Sequence, residues 1–163
     1  MATIALFTSN NIFSRIIQFF EGSKISHSAI GIDIDGVSYF LHAAWGGVQL
    51  TARENVLSYD KLFAEFEVIP NIEDEVNTAK SKIGEPYDTI GLFGFIFVLL
   101  ARKLGIGIHN PLASKSAVVC SEFIIECDTQ HLIPEFYGLD PETITPPDLF
   151  HICSNGKSFK ELV

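Results

Sequence analysis

The chain has 163 residues, enough for one domain spanning 1–163 with its own apolar core, and no linker, repeat or low-complexity run divides it. A 47% hydrophobic content argues against a disordered segment. The formal charge of −9 disfavours nucleic acid and anionic membrane surfaces, since both repel an acidic protein.

In chain order, "TIALF" predicts a buried strand, and Asn10 or Asn11 caps a helix through "IFSRIIQFF" that ends near Gly22. The clearest β signal is "HSAIGIDIDGVSYFLHAAWGGVQLTA". Asp35-Gly36 supplies the positive φ angles of a two-residue hairpin turn between two β-rich runs. "GGVQLTA" and "AEFEVIP" predict two further strands. Asn71 is placed to cap a helix from Ile72 to Ile83, stopped by Gly84, with the acidic run Glu73, Asp74, Glu75 as its solvated start.

Residues 90–104 hold the most apolar stretch, "IGLFGFIFVLLA", which predicts a helix. Its twelve residues fall short of the roughly twenty that a membrane span needs. It reads as a buried helix, or as a surface that meets acyl chains. A further helix is predicted from Cys120 to about Gln130. "TPPDLFHI" predicts a proline-started helical turn, and Asn155-Gly156 a last hairpin. Strands cluster early and long helices follow, so the predicted class is α+β.

The chemistry-bearing residues lie in the hairpin and the Cys120 helix. A two-residue turn pairs Ile34 with Val37 and sets His42 opposite Ala29, so His27 and His42 are diagonal neighbours on one face. That suits a base and its orienting partner, although either histidine could be structural. Cys120 heads its helix, where unpaired N–H groups favour a thiolate, and an imidazolium beside it would favour it more. The same residue also fits an apolar face with Phe123, Ile124 and Cys127, so nucleophile and core filler both remain open. Glu122 should face away from Cys120, about 200° around the axis. Cys127 reads as core and Cys153 as indeterminate. Three cysteines without a C-x-x-C pair make neither a disulfide framework nor a zinc site, and no phosphate loop or dinucleotide fingerprint is present. No metal or cofactor is expected.

These motifs are familiar in combination. "HSAIGIDIDGVSYFLHAAWGGVQL" resembles the hairpin of NlpC-type papain-like cysteine peptidases. "IGEPYDTIG" resembles their Gly-x-Pro-Tyr segment, "VVCSEFII" their Cys-Ser helix start, and "ITPPDLFHI" their "PGDL" stretch. Histidine precedes cysteine here, which is the order of the circularly permuted branch and of lecithin–retinol acyltransferase-like enzymes. The chain departs from the pattern at Glu122, in the single Gly91 after Tyr87, in the long apolar insertion before Cys120, and in the longer His27-to-His42 spacing.

The resemblance implies a permuted papain-like fold, with an antiparallel sheet packed on a helix that starts at Cys120. It makes Cys120 the nucleophile, His27 the general base and His42 the third member. Tyr87 becomes a candidate near the oxyanion. Trp45, beside Gly46-Gly47, reads equally as a wall of the cleft or as ordinary packing. The expected activity is hydrolysis of an amide in a cell-wall-type peptide through an acyl-enzyme. The alternatives are a lipid acyl hydrolase or transferase with the same triad, and a catalytically silent binding module. The N-terminal "MATIALFTSNN" lacks a basic leader, so the expected location is cytoplasmic, unless another protein or a viral host delivers the enzyme.

Overall fold

Asp35 and Gly36 take positive φ, 51° and 80°, and turn strand β2 (His27–Ile34) directly into β3 (Val37–Ala44). Ile34 pairs with Val37, so the hairpin has the register that its sequence predicts. The computed structural model describes residues 1–44, 46–86, 100–101, 104–108 and 120–163. The helix predicted over 90–104 falls mostly outside them.

Four more strands complete one sheet: β1 (Ala2–Thr8), β4 (Gly47–Ala52), β5 (Lys61–Val68) and β6 (Phe159–Glu161). The order is β4-β3-β2-β1-β5-β6, and every neighbouring pair is antiparallel. Five α-helices are described: α1 (Ile12–Glu21), α2 (Arg53–Tyr59), α3 (Glu73–Ser81), α4 (Cys120–Cys127) and α5 (Pro146–Asn155). The class is α+β. Among the described residues, no helix is long and apolar enough to cross a membrane.

Strand alternation sorts the core into two faces. Ile4, Leu6, Ile30, Ile32 and Leu41 pack with Phe123 and Ile124 of α4 on one face. Ala5, Phe7, Ala29 and Phe40 pack with Val56 of α2 on the other. On this second face Arg53 makes a bidentate pair with Glu65, at 2.8 and 2.6 Å, and its guanidinium lies 4.9 Å from the centre of the Phe40 ring. Thr3 donates to the same carboxylate at 2.8 Å. Burial pushes the Glu65 pKa up, but these hydrogen bonds outweigh it and hold the carboxyl below its ordinary value.

Local signals set the helix ends. The Asn11 side chain accepts from the Ser14 amide at 2.8 Å, and Gly22 closes α1 in the left-handed conformation. Thr145 and Asp148 form a reciprocal capping box at the start of α5.

Several expectations are corrected. Helix α2 adds to the predicted elements: only Val56 of its seven residues is buried, so no apolar stripe marks it in the sequence. Ile72, not Asn71, occupies the α3 N-cap and makes no side-chain cap. Glu75 is buried rather than solvated, because the first turn of α3 packs against the α4 side of the core. Helix α4 ends at Cys127, since the Asp128 carboxylate captures the amides of Leu132 (2.8 Å) and Ile133 (3.2 Å) and turns the chain. Asn155-Gly156 makes no hairpin. Gly156 is extended (φ −77°, ψ 149°) and leads into β6, which pairs with the distant β5.

Candidate functional site

The β2–β3 ladder stops at Ile30 opposite Leu41. Beyond that point His27, Ser28 and Ala29 pair only with β1, while His42, Ala43 and Ala44 pair only with β4. The sheet therefore splits between its two middle strands at this end. Gly47 (φ 114°) lets the chain after α3 dock on β4, with the Val48 amide donating to the Glu85 carbonyl at 2.8 Å. A β-carbon at Gly47 would lie 2.3 Å from that oxygen, so no other residue fits there.

His27 and His42 project from the Phe7 and Phe40 side of the split. His27 Nε2 lies 2.9 Å from His42 Nδ1, and His42 Nε2 lies 3.2 Å from Thr51 Oγ1. Phe7 packs at 5.9 Å against the His27 ring. His42 is 1% exposed. Burial, and then the neighbouring His42, pull the His27 pKa down to about 3, and burial pulls His42 down to about 4. Both rings are neutral near pH 7.

Cys120 reaches the split from the opposite, α4-packed face and lies against Ser28. Burial pushes its thiol up, while the hydroxyl and amide of Ser28 and the amides of Ser121 and Cys120 oppose that rise. The Ser28 hydroxyl is fully buried and makes no hydrogen bond of ordinary geometry to any described residue, with the Cys120 sulfur as its polar contact among them. Among the described residues, no hydrogen bond joins the Cys120 sulfur to either imidazole. Cys120, His27 and His42 nevertheless line one cavity of about 620 Å³. Glu122, beside the nucleophile candidate, is buried.

The three residues that the sequence singled out thus meet around one cavity. Trp45 and Tyr87 lie outside the described residues. Cys127 and Cys153 are both core, 2% exposed, with burial pushing Cys127 up to about 12 and Cys153 strongly upward. Sequence reasoning missed Thr51, Ser28 and the far wall formed by Ser9 and Asp60. Thr51 had a usable signal. Ala44 pairs with Gly47 and His42 with Gln49, so a residue two places on shares the histidine face.

No family model matches the chain, and no curated relative does either. A solved structure does resemble it: the crystal structure of metalloprotein yiiX from Escherichia coli O157:H7, DUF1105, with a TM-score of 0.66 and 17% sequence identity. The match covers 99% of this chain and 95% of that one, so the two share a fold over nearly their whole lengths. Among the described residues the donor set does not fit a metal. Each histidine commits a nitrogen to the other, and His42 commits its second to Thr51. Among the described residues no three His, Cys, Asp or Glu side chains cluster to hold an ion.

Proposed function

We propose that the chain is a thiol hydrolase with a circularly permuted papain-like fold that cleaves an amide in a cell-wall-type peptide. The observation that carries the reading is the 2.9 Å His27–His42 contact in the wall of a cavity that Cys120 also lines. His27 Nε2 is engaged by His42, so Nδ1 is the nitrogen left for the thiol. For Nδ1 to accept a proton, Nε2–H must donate to His42 Nδ1, and His42 Nε2–H then donates to Thr51 Oγ1. The relay fixes one tautomer, as the carboxylate does in a serine triad.

The resting thiol and imidazole are both neutral. Proton transfer from Cys120 to His27 Nδ1 creates two opposite charges together, each stabilising the other as the sulfur attacks the carbonyl carbon. A backbone amide beside Cys120 holds the oxyanion, a role in which the family resemblance also casts Tyr87. His27 returns the proton to the departing amine, and water then cleaves the thioester. Three free thiols suit a reducing, cytoplasmic location.

An alkylating activity probe tests the assignment. Label is expected on Cys120 alone, since it lines the cavity while Cys127 and Cys153 sit in the apolar core, and is lost in Cys120→Ala. Equal labelling of both proteins would sink Cys120 as the nucleophile. That result would favour the silent module, which the buried, upward-shifted Cys120 thiol also suits. Release of peptide fragments from cell-wall material, rather than fatty acid from phospholipid, would separate the amide reading from the lipid one.

A further inference from the structure

The cavity has a second polar wall that the proposed chemistry does not use. Asp60 follows α2, is 7% exposed, and lines the same cavity as His27 and Cys120. The Ser9 hydroxyl donates to its Oδ1, while Oδ2 accepts no hydrogen bond from any described residue. No Lys or Arg pairs with it among the described residues. Its position is built in advance: the Asp60 amide donates to the Val56 carbonyl at 2.9 Å. Ser9 is pinned in turn, because its amide donates to Ser26 Oγ at 3.1 Å and its carbonyl accepts from Gln18 Nε2 at 2.9 Å.

Among the described residues lining the cavity none is Lys or Arg, and both histidines are neutral, so Asp60 supplies the one full charge. Burial also pushes the Asp60 carboxyl up, as expected for an anion that lacks a cationic partner. An unpaired buried carboxylate is costly, and a cation entering the cavity relieves that cost. A phosphate or free carboxylate would meet repulsion with no compensating positive charge from any described residue lining the cavity.

We propose that Asp60, held by Ser9, binds a protonated amine of the substrate inside the cavity. The substrate class is then an amine-bearing peptide rather than an anionic lipid. This deepens the hydrolase reading and rests on it only for taking the cavity as the substrate cleft.

The test is a binding titration without turnover. Three probes differing only at one end are used: glycyl-L-alanine amide with a free amine, its N-acetyl form and its N-succinyl form. Binding is followed through the backbone amide resonances of Ser9, Asn11 and Asp60. In the wild type the free amine is expected to bind about tenfold tighter than the N-acetyl probe, the worth of one charge-assisted hydrogen bond, with N-succinyl weakest. Asp60→Asn should abolish the free-amine advantage, and Asp60→Glu should retain part of it. Equal affinity for the free and acetylated probes, no binding of any probe, or an advantage that survives Asp60→Asn would each overturn the proposal. The charge series on the wild type decides the matter if a variant fails to fold. A failure of Cys120 labelling leaves this readout intact, so the two proposals fail separately.

Discussion

His42 should make the protein acid-sensitive well above the range in which carboxylates titrate. Its ring is 1% exposed, and burial lowers its pKa from 6.5 to about 4. Between those values the unfolded chain binds a proton that the folded chain refuses, so stability rises with pH there and is lost on acidification. At 1.36 kcal/mol per pKa unit, moving from near pH 7 to about pH 4.5 costs about 2 kcal/mol from His42 alone. His27, pulled down to about 3, adds loss in the same direction. Asp60, whose carboxyl is raised, works against it, but is common to the wild type and a His42→Gln variant. Urea unfolding of both proteins at the two pH values isolates the His42 contribution. The variant is expected to be less stable near pH 7, having lost the contacts to His27 and Thr51, yet to lose about 2 kcal/mol less than the wild type on acidification. Parallel losses in the two proteins would refute the reasoning.

Two further perturbations follow from the same face of the sheet. Arg53→Ala leaves the Glu65 carboxylate, 7% exposed, with Thr3 as its remaining hydrogen-bond donor. Because the Arg53 side chain is itself 31% exposed, the cost should sit near the lower end for a broken buried pair, about 3 kcal/mol, with most of it recovered in Arg53→Met/Glu65→Leu. Thermal melts measure this, and a loss under about 1 kcal/mol would contradict the burial argument. Thr51→Val removes the terminal acceptor of the histidine relay, so the rate of Cys120 alkylation should fall about fivefold, the worth of one net hydrogen bond, while Thr51→Ser restores it. Equal rates in Val and Ser would show that Thr51 positions nothing.

Local chemistry makes much of this protein legible in its sequence. Asp35-Gly36 set the hairpin register, because positive φ at both positions permits a two-residue turn, and period-two alternation then put His27 and His42 on one face. Asn11, Gly22 and the proline pair Pro146-Pro147 marked helix ends through groups that act within a turn. What spacing along the chain could not show was where β2 and β3 part. That split depends on which strand each edge pairs with next, β1 for His27 and β4 for His42. It lets Cys120, on a helix packed against the opposite face, share a cavity with the two histidines. The Asp60 wall had the same character: an aspartate after an unpatterned helix carries no signal until the fold buries it beside Ser9, fifty-one residues away. Short-range torsional and capping preferences are written in neighbouring residues, whereas burial and charge pairing are properties of the assembled sheet, and those decided the candidate site.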